Sequence, residues 1–388
     1  MEHEGIRVNR EALKSYGDVL AVKIDELRSG IYEQAGTEFN INSPKQLGEV
    51  LFDDLAIPTK KKTKTGYSTN ADVLEGLAED YEIVRFILEY RTLAKLKSTY
   101  CDGLIKEISS DGRIHTTFNQ TETRTGRISS VEPNLQNIPV RTELGREMRK
   151  FFVAEDGMTF IDADYSQIEL RVLSDIANDQ NMIDAFNSET DIHTTTASQV
   201  FKIPLNEVSP LMRSRAKAVN FGIVYGIGAF SLSKDIGVSR AEADKYIKDY
   251  LHHYSGVDEY MKNIVEKAKA DGYVSTLFGR RRYLPELSSS NGMLRSFGER
   301  VARNMPIQGT AADIIKIAMI KVYNRLKAEN LKARLLLQVH DELIVEAPEN
   351  EAETVKNIVC EEMENACKMK VRLVSDANIG KTWYDAKG

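Results

Sequence analysis

The sequence predicts an α+β protein with a helical N-terminal arm, a mixed centre and a helical insertion. Apolar residues recur at helical spacings of three and four through much of the first hundred residues. Strand-like stretches begin at residue 111 and return at residues 335–346. Helical spacing dominates residues 210–270 and returns at residues 293–327. This order of elements is the basis of the α+β assignment.

The composition is ordinary for a globular protein of 388 residues, with 42% hydrophobic and 28% charged residues. This length is enough for two or three packed units. No apolar run approaches the roughly 20 residues that a membrane helix needs, and the N-terminus lacks the apolar core of a secretory signal. The three cysteines have no C-x-x-C spacing. We therefore expect a cytoplasmic protein without a membrane segment, a disulfide framework or a zinc site.

The charge is unevenly distributed. The net charge of −6 argues mildly against nucleic-acid binding, but local runs matter more than the sum. Lysines cluster at residues 60–64, and three arginines follow one another at residues 280–282. Each run has two interpretations, a solvated surface or a local contact with nucleic acid.

The N-terminal arm is predicted to be helical over residues 9–36 and again over residues 71–100. Between them, Ser43 is the expected N-cap of a second helix, with Pro44 at its first position and Gln46 completing a capping box. The lysine-rich loop KKTKTGYSTN projects from these helices.

The mixed centre begins with an Asp-Gly turn and the alternating stretch DGRIHTTFNQ. Residues 158–177 begin as a strand and become a helix near Ser166. A loop rich in Gly, Arg and Ser is expected at residues 279–292, and a final helix at residues 350–368. The stretch LLLQVHDELIVE, residues 335–346, reads as two apolar strands around a polar tip.

The first candidate site lies in DADYSQIELR, where Asp164 follows a predicted strand and can point its carboxylate off the sheet edge. A second interpretation is that Asp162 or Asp164 simply ends the strand. Ser166 and Glu169 also match a capping box, so Glu169 has a structural interpretation as well.

The second candidate site is the helix in RSRAKAVNFGIVYG. Arg213, Lys217, Phe221 and Tyr225 stand four residues apart and share one face about 18 Å long. Two cations followed by two aromatic rings match a nucleoside triphosphate, which is anionic at one end and flat at the other. The alternative is an amphipathic helix without a ligand. Gly222 costs a helix about 1 kcal/mol relative to alanine, which indicates close packing there.

The third candidate site is the tip of the predicted hairpin, formed by His340, Asp341 and Glu342. Adjacent carboxylates repel each other unless a cation compensates, and Mg²⁺ prefers oxygen ligands. A solvated acidic turn is the alternative. Two-metal sites for phosphoryl transfer need carboxylates from separate strands, here Asp164 and Asp341, and a nearby cationic clamp.

Five blocks, in order along the chain, resemble family A DNA polymerases of the bacterial DNA polymerase I type. DYSQIELR resembles motif A, RSRAKAVNFGIVYG motif B and QVHDE motif C, while TGRISSVEPNLQNIPVR and NMPIQGTAADIIK resemble two further blocks. The resemblance covers the chain from about residue 5 to its C-terminus. It implies a right-hand polymerase fold with a thumb, a palm built on an antiparallel sheet, and helical fingers.

The resemblance also implies domain boundaries: the thumb at residues 1–110, the palm at 111–180 and 290–388, and the fingers at 181–289. The exonuclease-like and 5′-nuclease domains of the family have no counterpart in these 388 residues. The expected activity is therefore template-directed DNA synthesis from dNTPs on a primer-template DNA, without proofreading, by a monomer.

The resemblance assigns catalytic roles residue by residue. Asp164, Asp341 and the backbone carbonyl of Tyr165 resemble the ligands of two Mg²⁺ ions, for which Mn²⁺ can substitute. Glu342 resembles a residue that supports the metal site, and Lys217 is the expected general acid for the leaving pyrophosphate.

Further positions resemble residues that contact nucleotide and DNA. Glu169 resembles a steric gate against the 2′-hydroxyl. The expected nucleotide contacts are Arg141, Glu169, His193, Arg213, Lys217, Phe221 and Tyr225. The expected DNA contacts are Arg127, Asn134, Gln136, Arg300, Asn304, Gln308, His340, Lys61, Lys62 and Lys64. Donors among them suit the minor-groove acceptors that every base pair presents, and the lysines suit the phosphate backbone.

Four positions depart from the usual family pattern: Arg124, Asp175, Ser214 and Arg215. None of them is an expected metal ligand, so they bear on fidelity, rate and template preference.

Two other functions compete with DNA synthesis. One is a single-subunit RNA polymerase, which Glu169 and the HDE triplet disfavour, and the other is an inactive module that only binds primer-template.

Overall fold

The structure is a computed structural model that describes residues 1–59, 66–140, 142–188 and 190–388, together with the backbone of residues 62–63. Its helices and antiparallel strands confirm the predicted α+β class.

Sixteen α-helices are present in the described residues. They are α1 (Arg10–Ala35), α2 (Pro44–Glu49), α3 (Ala71–Glu75), α4 (Glu82–Lys95), α5 (Gly103–Glu107), α6 (Glu143–Glu147), α7 (Ile168–Ala177), α8 (Gln180–Asn187), α9 (Ile192–Phe201), α10 (Pro210–Val224), α11 (Ala229–Asp235), α12 (Arg240–His253), α13 (Ser255–Asp271), α14 (Gly292–Ala328), α15 (Ala352–Glu364) and α16 (Trp383–Lys387). Short π-helical segments extend α2 and α4.

Twelve strands, all paired antiparallel, accompany these helices in the described residues. They are β1 (Ile6–Arg7), β2 (Lys62–Thr63), β3 (Gly66–Tyr67), β4 (Arg113–Ile114), β5 (Thr117–Asn119), β6 (Ser129–Val131), β7 (Met158–Tyr165), β8 (Tyr273–Ser275), β9 (Arg281–Tyr283), β10 (Arg334–Val339), β11 (Glu342–Pro348) and β12 (Ser375–Gly380). One sheet has four strands, in the order β10-β11-β7-β12, and the others are two-stranded.

The four-stranded sheet separates two apolar cores. Ile161, Ala163 and Tyr165 of β7 pack into a core shared with α7, α14 and α15. Phe160 lies on the opposite face and belongs to the core of the N-terminal helices, together with Trp383 of α16. Because successive side chains of a strand point to opposite faces, Asp162 and Asp164 lie on the same face as Phe160.

The N-terminal arm is helical, as predicted, and α1 packs along α4. Ser43 caps α2 by accepting a hydrogen bond from the backbone N–H of Gln46. The expected capping box is incomplete, because the Gln46 side chain accepts instead from the backbone N–H of Asn40 at 2.7 Å. The preceding loop thus competes successfully for the Gln46 amide.

Three further features differ from the sequence-based expectation. Residues 281–283 form β9, which pairs with β8 in a hairpin inside the expected loop. Strand β12 and helix α16 were not predicted at all. The helical stretch expected at residues 293–327 is the single helix α14, which continues through the buried Pro306.

Membrane insertion by a helix has no support in the structure: within the described ranges, every helix is too short or too polar to cross a bilayer.

Candidate functional site

A two-residue turn brings two acidic segments together. His340 and Asp341 connect β10 to β11, and His340 adopts a left-handed conformation with φ of 56°. Glu342, the first residue of β11, pairs directly with Asp164 on β7. The backbone N–H of Tyr165 donates to the carbonyl of Asp341 at 3.1 Å. The hairpin tip therefore lies against the end of β7.

A cavity of about 490 Å³ opens at this junction. Asp164, His340, Asp341 and Glu342 line it on one side. Its remaining walls come from the segment before α6, from the segment that precedes β7, and from α16. The two carboxylates that the sequence predicted to converge thus face one common space.

The side chain of Lys387, on α16, contacts the acidic cluster. Its ammonium group donates to Asp164 Oδ2 at 2.9 Å and to Glu342 Oε2 at 2.6 Å, and lies 3.9 Å from Asp162 Oδ1. Burial opposes the charge of Lys387, but the carboxylates of Glu342, Asp162 and Asp164 outweigh burial and raise its pKa. The lysine therefore stays charged throughout the neutral range.

The carboxyl groups at the site differ in protonation. Burial, and then the charge of Glu342, raises the pKa of Asp162 to about 9. Burial, and then the charge of Asp164, raises the pKa of Asp341 to about 7. Burial also raises the pKa of Asp164, although Lys387 opposes this effect. The cluster holds more acidic groups than it can ionise without an additional cation.

Glu342 is a buried carboxylate with fixed partners. Trp383 Nε1 donates to its Oε1 at 2.9 Å, and Arg149 lies 3.7 Å away over the indole ring. Burial opposes ionisation of Glu342, but Lys387 and Arg149 hold its pKa below the usual range. Glu342 therefore stays ionised and anchors the base of the cavity.

The acidic cluster fits a hard divalent cation. Asp164 Oδ1 is buried and has no hydrogen-bond partner among the described residues, so one lone pair is free for a ligand. Mg²⁺ is commonly held by one or two protein carboxylates, with substrate phosphates and water completing its shell. Within the described ranges, no three His, Cys, Asp or Glu side chains converge on one point, and the ammonium group of Lys387 contacts Asp164.

The helix α10 carries three residues of the predicted stripe, Arg213, Lys217 and Phe221, while Tyr225 is the C-cap residue that follows the helix. Ser209 caps the helix, and Ala216 and Val219 are buried, which turns Arg213 and Lys217 outward. Gly222 packs against Ile227, where an added Cβ would meet the Ile227 side chain at 2.4 Å. This contact confirms the close packing expected at Gly222.

Two neighbours of α10 on α9 were not expected to interact as they do. Arg213 donates to Asp191 Oδ2 at 2.7 Å and to Oδ1 at 3.1 Å. His193 is buried, its ring lies 5.8 Å from that of Phe221, and Asn220 donates to its Nδ1 at 3.0 Å. Burial lowers the pKa of His193 to about 4, so this ring is neutral at physiological pH.

Glu169 connects two parts of the site. Its carboxylate accepts from Arg127 at 2.7 Å and from the Tyr225 hydroxyl at 2.9 Å. The alternative capping-box interpretation is wrong. Helix α7 begins after Gln167, which has a left-handed conformation with φ of 56°, and no side chain caps the helix. The long-range partners of Glu169 outcompete the local motif.

Three of the candidate DNA contacts, Asn134, Gln136 and Asn304, make hydrogen bonds within the protein. Asn134 caps a short 3₁₀ turn by accepting from Gln136 N, and Gln136 donates to the Gln338 carbonyl at 3.0 Å. Asn304 donates to the Val224 carbonyl at 3.2 Å. Gln136 therefore lies against β10, and Asn304 lies against the last residue of α10.

Other candidate DNA contacts lie nearby or outside the described residues. Arg300 packs against Gly226, next to the end of α10, and Gln308 is half-buried on α14. Arg141, Lys61, Lys64 and the side chain of Lys62 lie outside the described residues.

Sequence patterns did not single out Lys387, Arg149, Trp383 and Asp191 as members of the site. Asp191 has the local signal of an N-cap, and it does cap α9 through Thr194 N. Lys387 carries no local signal, because only the packing of α16 against β7 and β12 brings it to the carboxylates. Its role depends on tertiary structure alone.

Comparisons with known proteins show the family of this chain. A profile described as "DNA polymerase family A" matches residues 10–385. DNA polymerase I of Caldicellulosiruptor bescii is 53% identical over the whole chain, which covers 46% of that protein. DNA polymerase I of Geobacillus stearothermophilus is 55% identical, again over the whole chain and 44% of that protein. The chain therefore spans somewhat less than half the length of these relatives.

A solved structure is also similar. It is the POL domain of Pol1 from M. smegmatis, in a complex with DNA primer-template and dNTP. The two structures agree with a TM-score of 0.95 at 46% identity, over the whole of this chain and 69% of the other. With the family profile spanning nearly all of the sequence and relatives above 50% identity, this chain belongs to the family A DNA polymerases.

Proposed function

We propose that the chain is a DNA-directed DNA polymerase, which adds deoxynucleoside monophosphates from dNTPs to a primer 3′-hydroxyl as a DNA template directs. The observation that carries the proposal is the convergence of Asp164 and Asp341 on one cavity. Membership of the family and the Pol1 complex with primer-template and dNTP support it.

Asp164, Asp341 and the Tyr165 carbonyl would hold two divalent ions, Mg²⁺ with Mn²⁺ able to substitute. The unpartnered Oδ1 of Asp164 and the raised pKa of Asp341 support this assignment. When bound, the ions would favour ionisation of the primer hydroxyl and neutralise the charge that builds on the leaving pyrophosphate. Glu342 would support the metal site from below.

The outward face of α10 would bind the incoming nucleotide. Arg213 and Lys217 would donate charge-assisted hydrogen bonds to the triphosphate, and Lys217 would protonate the leaving pyrophosphate. Phe221 would pack against the sugar and base, and Tyr225 would lie beside the templating base. Arg141 and His193 complete the proposed nucleotide contacts.

Glu169 would act as the steric gate beneath the sugar. Its carboxylate is held by hydrogen bonds from Arg127 and Tyr225, so it has a fixed position from which to exclude a 2′-hydroxyl. A single-subunit RNA polymerase would need that space, and this argument favours dNTPs over rNTPs.

The nascent duplex would lie across the surface beside the cavity. Its minor groove offers N3 and O2 acceptors at every base pair, which suits inspection that is independent of sequence. The proposed contacts are Arg127, Asn134, Gln136, Arg300, Asn304, Gln308 and His340, with Lys61, Lys62 and Lys64 on phosphates.

The remaining assignments stay predictions. They are the division into thumb (1–110), palm (111–180 and 290–388) and fingers (181–289), a monomeric state, a cytoplasmic location and synthesis without proofreading. The two Mg²⁺ ions belong with them.

Primer extension on a DNA template tests the function directly. With Mg²⁺ and dNTPs, we expect the chain to extend an annealed DNA primer to the end of the template, and rNTPs to be used far less efficiently. Preference for rNTPs would favour the RNA polymerase alternative, and primer-template binding without extension would favour the inactive module.

Asp341→Ala is the decisive variant. Losing a metal-binding carboxylate should abolish extension while leaving duplex binding largely intact. Asp156→Ala removes an aspartate before β7 whose side chain is fully exposed and lies 3.5 Å from Arg7, and it should extend primers like the unmodified chain. Substantial extension by folded Asp341→Ala would refute the role given to Asp341.

A further inference from the structure

Lys387 occupies an unusual position for a lysine. Its ammonium group lies within 2.9 Å of Asp164 Oδ2 and within 2.6 Å of Glu342 Oε2. Asp162, whose two carboxyl oxygens are buried without hydrogen-bond partners among the described residues, lies 3.9 Å away. A single cation thus faces three carboxyl groups at the base of the cavity.

The helix that carries Lys387 is firmly held. Thr382 caps α16 through Asp385 N, and Trp383 is fully buried, with its ring edge-on to Phe152 at 5.4 Å. The lysine side chain itself remains one-third exposed, toward the cavity. A rigid base with a flexible four-carbon arm lets the ammonium group move while the helix stays in place.

Arg149 is another cation near the cluster, and it contacts different groups. It lies 3.7 Å from Glu342 and stacks over the Trp383 ring at 4.2 Å, and it makes no ion pair with Asp164 among the described residues. The charge beside Asp164 therefore comes from Lys387.

We propose that the Lys387 ammonium is a resident counter-ion for the catalytic carboxylates, which a divalent ion displaces from Asp164 when it binds. This inference rests on the metal site of the proposed function. Before metal binding, Lys387 offsets the repulsion between Asp164 and Glu342. An ion held at the unpartnered Oδ1 of Asp164 would repel the ammonium group at Oδ2 of the same carboxyl group.

The displaced ammonium group keeps a partner. Glu342 still accepts from it, and the Asp162 carboxyl group lies 3.9 Å from it. The ammonium group therefore keeps its ion pair with Glu342, and its charge is not left alone. Competition with the Lys387 ammonium group makes metal binding to the free protein weaker than the carboxylates alone would allow. The phosphates of the substrate would therefore contribute a larger share of the binding free energy of the ion.

Mn²⁺ binding to the free protein tests this proposal without any turnover. The free ion gives an electron paramagnetic resonance signal that binding removes, so a titration yields the dissociation constant in the absence of DNA and nucleotide. We expect Lys387→Met to bind Mn²⁺ about tenfold more tightly than the unmodified chain, because the competing charge is gone. Lys387→Arg keeps the charge and should stay within about threefold of the unmodified chain.

Two further variants make the test specific. Lys381→Met removes a lysine that pairs with Glu349 away from the cavity, and should leave Mn²⁺ affinity unchanged. Lys387→Gln retains a hydrogen-bond donor for Glu342, and replaces Lys387→Met if thermal unfolding shows that the latter is not folded. Unchanged or weaker Mn²⁺ binding in a folded, neutral variant of Lys387 would overturn the proposal.

Asp164→Asn separates this proposal from the one on which it rests. If Asp164→Asn abolishes Mn²⁺ binding but a folded neutral variant of Lys387 does not tighten it, the metal site stands and the role of Lys387 fails. If Asp164→Asn leaves Mn²⁺ binding unchanged, the ions bind elsewhere, and the metal site and the role of Lys387 fail together.

Discussion

Asp191, the N-cap of α9, and Arg213 of α10 form a bidentate ion pair, with N–O distances of 2.7 and 3.1 Å. Burial raises the pKa of Asp191, but hydrogen bonds from Arg213 and Thr194 outweigh it and lower the pKa to about 2. The carboxylate is therefore charged at any working pH. A triphosphate that binds Arg213 must compete with it.

Asp191→Asn should tighten nucleotide binding. Asparagine is as good an N-cap as aspartate, so α9 stays capped, while the charge that holds Arg213 is lost. Because the pair is partly exposed, we expect a modest effect, a KM for dNTP lowered about three- to tenfold with kcat little changed. Steady-state single-nucleotide insertion measures both constants.

Asp184→Asn provides the matched control for this prediction. Asp184 lies on the neighbouring helix α8 and accepts from Gln180 rather than from an arginine. It should leave KM unchanged. A KM that is unchanged or raised in Asp191→Asn would show that the ion pair does not compete with the triphosphate.

Glu169→Ala should admit ribonucleotides. The carboxylate is fixed between Arg127 and Tyr225, and removing it opens the space proposed for steric exclusion. We expect the preference for dNTP over rNTP to fall by at least about tenfold in competition assays. Glu169→Gln preserves the size of the side chain and should retain most of the preference, whereas equal behaviour of both variants would contradict a steric role.

Phe221→Tyr should increase the use of dideoxynucleotides. The Phe221 ring lies beside His193 on the side of α10 that we propose faces the nucleotide, and an added hydroxyl would supply the hydrogen bond that the missing 3′-hydroxyl normally makes. One such hydrogen bond is worth about tenfold in discrimination. Competition between dNTP and ddNTP measures it, with Phe230→Tyr, an exposed aromatic on α11, as control. Unchanged discrimination would place Phe221 away from the sugar.

The strands that carry the carboxylates were predictable because burial on both faces leaves an unmistakable apolar pattern. In β7 and β11, apolar residues surround Asp164 and Glu342, so acids at the strand ends stood out. The edge strand β12 escaped prediction, since its sequence SDANIG is only partly buried and has few apolar residues.

Local motifs failed where long-range partners were stronger. Ser166 and Glu169 have the spacing of a capping box, yet Glu169 bonds to Arg127 and Tyr225, which lie far away in the chain. Lys387 has no motif at all, because its place among the carboxylates follows from the burial of Trp383. Composition and spacing identified the carboxylates at the strand ends. They did not identify Lys387, because only tertiary packing brings it next to those carboxylates.

The buried ring of His193 makes a testable link between pH and stability. Its pKa of about 4 in the folded chain lies below the value of about 6.5 of an unfolded chain, because burial disfavours the charged ring. The unfolded chain therefore binds a proton first as pH falls through this window. This single group should lower the free energy of unfolding by about 2 kcal/mol between pH 8 and pH 5, and contribute nothing above pH 7.5.

Chemical denaturation at several pH values isolates this contribution when variants are compared. His193→Gln retains an uncharged polar group, so its free energy of unfolding should fall by about 2 kcal/mol less than that of the unmodified chain between pH 8 and pH 5. His252→Gln, at an exposed position on α12, should follow the unmodified chain. If the free energy of unfolding of His193→Gln has the same pH dependence as that of the unmodified chain, then His193 takes up a proton in the folded state without penalty. The conclusion that the ring beside Phe221 is neutral would then be wrong.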